Sequence, residues 1–251
     1  MTKHTTSIAT SDETSITVRG YDLVEDLVGR RSFTEMLYLL VAHRPPTPGE
    51  TRVLDACLVV LMEHGWTPSS IIARMTADSN PTQVQMSIAA GLLAVGDVFA
   101  GTMDGCALIL AAGVDHPDQA AYCAEVVARH RAAKTPMPGF GHPFHRPDDP
   151  RPPRLFRIAA EEGLGGRYIQ LLQQMSTALD TAMGRHLTIN ATGAIAACLL
   201  EIGIPTCIMR GIAVVSRAGG LAGHIVEEMQ THSAREIWKQ TETIVPYAPS
   251  A

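Results

Sequence analysis

Aromatic residues are scarce in this chain, at 5% of its 251 positions, although hydrophobic residues reach 46%. Ala, Leu, Ile, Val and Met supply the apolar content, which suits helix packing. Strand signals are also thin: only Ser15–Val18 alternates convincingly, and no Asn-Gly hairpin turn occurs. No apolar run is long enough to span a bilayer, since Leu54–Met62 is interrupted by Asp55 and stops at Glu63. Met1–Thr10 has no apolar stretch, so a secretory signal is not expected. Cys57, Cys106, Cys123, Cys198 and Cys207 never form C-x-x-C. All but one fall in apolar helical runs, where cysteine behaves as a small core residue. A reduced, cytoplasmic setting is the expectation. Gly91, Gly96, Gly101 and Gly105 form no G-x-G-x-x-G after a strand, which excludes dinucleotide-binding and P-loop readings. G-x-S-x-G is absent, which removes the common hydrolase elbow. The formal net charge of −5 creates no global attraction to nucleic acid or membranes. Anion binding has to be local.

Helix-start signals are plentiful. Ser32-Phe-Thr-Glu35 is a capping box, followed by Met36, Leu37, Leu40 and Val41 at helical spacing. Thr47-Pro-Gly-Glu50 is a second box, predicting a helix to His64 that ends at Gly65. Thr67-Pro68 and Asn80-Pro81 open two more, the latter a long helix from Pro81 to Val98. Helical runs follow over Met103–Ala112, Asp118–Arg131, Pro152–Glu162 and Arg167–Met183. Asn190 caps a helix through Ile202, and the remainder reads as two helices broken near Gly219-Gly220. The fold class is mostly α, with roughly ten helices. The length permits one large domain or two smaller ones.

Pro138-Gly-Phe-Gly-His-Pro-Phe-His-Arg-Pro-Asp-Asp-Pro-Arg151 stands apart. A helix cannot run through it, because each proline removes a donor and restricts the residue before it. Its glycines allow close backbone approach, its histidines move or donate protons, and Arg146 and Arg151 can grip carboxylates or phosphates. The segment reads as a site for an anionic substrate. His142 and His145 form H-x-x-H, but no cysteine is near in sequence and the arginines would repel a cation, so no metal is expected.

Other candidates have ordinary structural roles when read alone. His64-Gly65 suits a helix C-terminus, where the dipole favours histidine. Gly193 and Gly203 bracket an Ala-rich helix and suit close packing. Asn190 and Thr192 suit a helix start, which is also where anions are welcome. Arg217-Ala-Gly-Gly-Leu-Ala-Gly-His224 reads as an arginine, a flexible turn and a histidine.

Together these pieces resemble citrate synthase, and more closely the short citryl-CoA lyase branch of that superfamily. The resemblance covers nearly the whole chain. It runs through Val18-Arg-Gly-Tyr-Asp22, Glu63-His-Gly65 with Pro68-Ser69, Ala89-Ala-Gly91 and Gly96-Asp97. It continues through Pro138-Gly-Phe-Gly-His142 with Asp149-Pro-Arg151, Ile189-Asn190 and Gly193-Ala-Ile-Ala-Ala197. It closes with Gly220-Leu221, His224 and Glu227-Glu228. The G-F-G-H element with its downstream D-P-R is the specific part.

The resemblance implies a citrate synthase-like homodimer with large and small helical domains and the active site in the interdomain cleft. By the family's layout, residues 1–102 and 197–251 form the large domain and 103–196 the small one. Coenzyme A is implied as a thioester substrate, with a dicarboxylate as the other small-molecule partner and no metal or further cofactor. Carried over by motif, His64 and Arg217 bind the dicarboxylate, at the cleft to which Asn190 also belongs. His142 hydrogen-bonds its carbonyl oxygen and Arg151 holds a carboxylate. Arg235 is implied as a cross-subunit carboxylate ligand. The backbone of Pro138, Gly139, Phe140 and Gly141 is implied to face the CoA.

Two catalytic positions depart from the pattern. The family's Gly-Asp-x-His-Gly-Gly reads Gly96-Asp-Val-Phe-Ala-Gly101 here, so Phe99 replaces the histidine that stabilises the acetyl-CoA enol. The family's Asn-Val-Asp-Gly reads Asn190-Ala-Thr-Gly193, so Thr192 replaces the carboxylate that moves the methyl proton. The expected activity is that of a CoA-thioester carbon–carbon lyase or acyltransferase with altered substrate or mechanism. The alternatives are decarboxylation of a carboxyacyl-CoA, or CoA and dicarboxylate binding without catalysis.

Overall fold

Side-chain caps decide where several helices start. In the computed structural model, which describes residues 4–97 and 101–249, Ser32 and Glu35 exchange hydrogen bonds ahead of α1 (Phe33–Ala42). Thr47 and Glu50 do the same at α2 (Pro48–Met62), and Thr67 with Ser70 at α3 (Pro68–Ser79). The order continues with α4 (Val84–Leu92), α5 (Thr102–Gly113), α6 (Gln119–Ala133), α7 (Arg151–Glu161), α8 (Arg167–Met183) and α9 (Ala191–Glu201). It ends with α10 (Met209–Thr231) and α11 (Ser233–Ile244). Ahead of them lies a small antiparallel sheet, β1 (Ala9–Ser11), β2 (Ile16–Val18) and β3 (Tyr21–Asp22). The mostly α expectation therefore holds. No helix among the described residues is long and apolar enough to cross a membrane.

Four local expectations need correction. The Asn80-Pro81 pair forms a turn rather than a first helical turn. Gln83 N–H bonds to Asn80 O at 3.0 Å and Gln83 adopts φ −118°, ψ 61°, so α4 starts only at Val84. It ends at Leu92, and the expected endpoint Val98 lies outside the described residues. Helix α2 stops at Met62, because Glu63 Oε1 takes up the next two N–H groups, those of His64 and Gly65. The β2–β3 hairpin turns at Arg19-Gly20, both at positive φ, without the Asn-Gly signal. At Gly219-Gly220, where the sequence suggests a break, α10 is continuous. A Cβ on Gly220 would lie 1.9 Å from Met62 O, so this glycine allows two backbones to touch rather than breaking a helix. The break falls instead at His232, at φ 51°.

The chain divides into two compact units. The first comprises Met1–Cys57 and Met103–Met209, and the second Leu58–Thr102 and Arg210–Ala251. In the first, α9 is the central element: every residue from Gly193 to Leu200 is buried. Leu171, Leu172 and Met175 of α8 and Leu155 and Ala159 of α7 are also buried in that core. Cys57, Cys106, Cys123 and Cys198 are buried as small core residues, and only Cys207 is exposed. In the second unit, Ala73 and Ala77 of α3 pack with Leu221 and Ile225 of α10. Gly91 of α4 lets that packing close, since a Cβ there would meet Leu221 Cδ1 at 2.7 Å and Ser69 O at 2.8 Å.

A polar knot anchors α1 to α2 in the first unit. The fully buried Tyr38 places its hydroxyl 2.7 Å from Ile202 O and 3.1 Å from Glu50 Oε1, while Arg44 grips both Glu50 oxygens. The Arg44 fork holds the Glu50 carboxyl at about 2, below its ordinary 4.5, against the opposing effect of burial. A carboxyl depressed by folding stabilises fully above its unfolded value and loses that contribution as pH falls through the folded one. Glu50→Gln is expected to lower unfolding free energy at pH 7 by about 2–3 kcal/mol. Urea titrations should show the difference from the parent shrinking between pH 4.5 and pH 2.

Candidate active site

The Gly-rich loop is fastened to the start of α9. Gly141 N–H donates to Thr188 O at 2.8 Å, Asn190 N–H donates to Gly139 O at 3.0 Å, and Phe140 bridges Ile189. Asn190 then does two jobs. Its Nδ2 donates to Gly141 O at 2.9 Å, and its Oδ1 caps α9 by accepting from Gly193 N–H at 3.0 Å. Gly139 and Gly141 sit at φ +87° and +77°, a region that side chains resist. Pro138 lies against Gly105 of α5, where a Cβ would meet Pro138 Cγ at 3.1 Å. These bonds bring the loop of Pro138, Gly139, Phe140, Gly141 and His142 against Asn190.

His142 carries chemical information in its hydrogen bonds. Its Nδ1 accepts from Phe144 N–H at 3.2 Å and His145 N–H at 3.1 Å. The neutral ring must then hold its proton on Nε2, which makes Nε2–H a donor. The His145 ring stacks on it at 4.3 Å between centroids. The loop therefore presents an imidazole whose tautomer suits donation to a carbonyl oxygen.

Arg151 is the first residue of α7, and Asp149 aims it. Asp149, 1% exposed, accepts from Arg151 Nε at 2.9 Å and Nη2 at 2.7 Å. It also accepts from Arg151 N–H at 3.0 Å and Ala191 N–H at 3.1 Å, and donates its own N–H to Thr188 Oγ1. Burial pushes the Asp149 carboxyl up, but the Arg151 side chain and backbone N–H, with a smaller contribution from His145, outweigh it and hold it below the ordinary value. One buried carboxylate thereby ties the D-P-R motif to the start of α9. Thr192 is the second residue of α9, with its hydroxyl donating to Asn190 Oδ1 at 2.7 Å. Phe99, the other departing position, lies outside the described residues.

In the second unit, Glu63 is the hub. His64 is exposed and gives its backbone N–H to Glu63 Oε1 at 2.8 Å. Arg217 of α10 approaches Glu63 Oε2 at 3.7 Å, and His224 Nε2 lies 3.0 Å from the same atom. Burial pulls the Arg217 guanidinium below its ordinary value, and Glu63 opposes that shift. Burial raises the Glu63 carboxyl, while His224 and the Gly65 and His64 N–H groups lower it more, to a net value below the ordinary one. Arg235 sits elsewhere in this unit. It forks onto Asp78, Nε to Oδ2 at 2.9 Å and Nη2 to Oδ1 at 3.0 Å, so a ligand would have to compete with that carboxylate.

Glu63, Arg74, Asp149 and His224 receive no role from sequence reasoning. Arg74 is the clearest omission. It is 2% exposed and donates to His224 Nδ1 at 2.9 Å, Glu227 at 2.8 Å and Glu228 at 3.2 Å, with its guanidinium over the Trp66 ring. The available signal was its place on an otherwise small-residue face with Ala73 and Ala77, since an unpaired charge is rarely buried.

Fold and side chains define a mostly helical protein equipped with a tautomer-fixed imidazole and an aimed guanidinium. The family described as citrate synthase, C-terminal domain, matches residues 42–240, and the chain belongs to it. It is 22% identical over 222 residues to 2-methylcitrate synthase 2 of Corynebacterium glutamicum, covering 86% of this chain and 56% of that protein. The chain thus spans about half the length of the curated relatives it matches first. The structure of citryl-CoA lyase from Hydrogenobacter thermophilus aligns with a TM-score of 0.84 at 31% identity, over 91% of this chain and 88% of that one. ATP citrate lyase from Methanothrix soehngenii, solved with citrate and coenzyme A, aligns at 0.79 with 18% identity, over 93% of this chain and 40% of that one, and shares the fold.

Proposed function

We propose that the chain acts on a carboxylated acyl-CoA thioester, breaking or forming a carbon–carbon bond in the manner of citryl-CoA lyase with an altered substrate or mechanism. The carrying observation is that two groups of one loop are held in fixed directions, His142 by backbone N–H groups and Arg151 by Asp149. The likeness to citryl-CoA lyase along 88% of that chain supports the same reading. In cleavage, the substrate hydroxyl releases its proton to water as its carbon becomes a carbonyl. The electron pair of the broken bond passes to the thioester α-carbon, which takes a proton from water. His142 Nε2–H steadies the oxygen that becomes the carbonyl. Arg151, with His64 and Arg217, holds carboxylates, and the backbone of Pro138–Gly141 faces the CoA. A homodimer belongs to the proposal, with Arg235 serving the partner subunit's site.

Thr192 favours a second reading. Its hydroxyl is committed to Asn190 and cannot serve as a base at neutral pH. Decarboxylation of a carboxyacyl-CoA needs no base to make the carbanion, because CO₂ leaves with the bond. The test incubates pure protein with citryl-CoA and other carboxyacyl-CoA thioesters, following acetyl-CoA and CO₂. Acetyl-CoA formation about 10²-fold or more below that of a relative with the aspartate is the expected result. CO₂ release with the acyl-CoA one carbon shorter, and no keto acid product, would favour the second reading. Saturable CoA binding with no product from any thioester would overturn both.

A further inference from the structure

Among the described residues of the second unit, Arg217 Nη1 and His224 Nε2 are buried nitrogens without a hydrogen-bond partner. Both side chains are nearly enclosed, at 13% and 11% exposure, and both face the same atom, Glu63 Oε2. At 3.7 Å the arginine is too far to hydrogen-bond, and the histidine at 3.0 Å is poorly aligned. The Glu63 carboxylate cannot move closer freely, because Oε1 is tied to the His64 and Gly65 N–H groups. It is also 46% exposed, so its charge is only partly given to the pair. Leaving buried donors unpaired is unfavourable, and a better-placed acceptor would relieve both at once.

Arg74 makes His224 a donor toward that spot. Its Nε can only donate, and it donates to His224 Nδ1 at 2.9 Å. The ring therefore carries its proton on Nε2, the atom facing Glu63. Glu227, Glu228 and Ser233 hold the Arg74 guanidinium in place from the far side, so the tautomer is enforced by a fixed network.

We infer that Arg217 and His224 form a two-point carboxylate site, that Arg74 is its positioning residue, and that Glu63 occupies it as an internal stand-in until a ligand carboxylate displaces it. The inference rests on the functional reading above in one respect: it adds His224 to the groups that hold the dicarboxylate. It makes Glu63 a built-in competitor that lowers affinity for any carboxylate too weak to displace it. A ligand gains entry only by offering both donors a better acceptor than Glu63 provides.

Calorimetric titration with succinate and citrate, without CoA, tests this on the full chain. Glu63→Gln keeps the shape and removes the competing charge, and should bind at least one of the two about tenfold tighter than the parent. Adding His224→Gln to that variant should abolish the gain. In the parent, ¹⁵N spectra should show the His224 proton on Nε2. Unchanged or weaker binding by Glu63→Gln overturns the inference, as does a His224 proton on Nδ1 or no carboxylate binding in either protein. Tightening by Glu63→Gln in a protein that turns over no thioester would sink the catalytic reading and leave this site standing.

Discussion

A chain carrying Phe99→His and Thr192→Asp together is expected to process citryl-CoA about 10²–10⁴-fold faster than the parent. Restoring a positioned base is worth about 10²–10⁴-fold, and restoring one donor to a developing oxyanion about 10²–10³-fold. Both act on the same proton-transfer step, so the gains need not multiply. The local structure at Thr192 favours the change. Asn190 Oδ1 keeps the Gly193 N–H as its donor once the threonine hydroxyl is gone. An aspartate there cannot donate to Asn190, so its carboxylate is freed toward the ligand side. The start of α9 also favours a negative charge, as Asp149 already shows by accepting from Ala191 N–H. Steady-state rates of acetyl-CoA release for the parent, each single variant and the double variant give the answer. No gain in a double variant with the parent's circular dichroism would mean that these positions are not the two catalytic ones or that other groups are missing.

Gly193→Ala is expected to damage stability and activity together. The new Cβ would fall 2.4 Å from Gly139 O and 2.9 Å from Gly139 Cα, and neither backbone atom can rotate aside. The loop would have to lift from α9, straining the Asn190 N–H bond to Gly139 O and the Asn190 amide bond to Gly141 O. Overpacking of this severity should remove about 3 kcal/mol or more, read from the urea midpoint at constant slope. A loop shift of about 1 Å would also move His142 and lower turnover about 10²-fold. Gly203→Ala provides the contrast. Gly203 sits at φ +77° with no atom within 4 Å of an added Cβ, so only the left-handed backbone penalty of about 1–2 kcal/mol applies. Equal stability of the two variants would show that the close contact between the loop and α9 is not maintained in solution.

Helices were legible where a side chain announces them. Ser32, Thr47 and Thr67 each start a helix at the residue their motifs indicate, because a cap is a local hydrogen bond between neighbours in sequence. Arg167–Met183 was equally readable from its apolar spacing. Glycines mislead where their purpose is not local. Gly219-Gly220 looks like a break in sequence, yet Gly220 is small because Met62 O touches its backbone, across a long separation along the chain. The hairpin at Arg19-Gly20 is not legible in the sequence, because its arginine adopts a left-handed conformation that the residue type does not advertise.

The site divides in the same way. Its residue types, the Gly-Phe-Gly-His and Asp-Pro-Arg motifs, and the replacements at Phe99 and Thr192 are properties of the sequence itself. They determine the family and the groups available for chemistry. Only the tertiary structure decides which nitrogen of His142 donates, which carboxylate aims Arg151, and that Glu63 faces Arg217 and His224. Each of these depends on direction as well as on identity. A hydrogen bond has a donor end and an acceptor end, and a buried charge is tolerated only where distant segments supply its partner. Spacing along the chain encodes neither, so packing had to supply both.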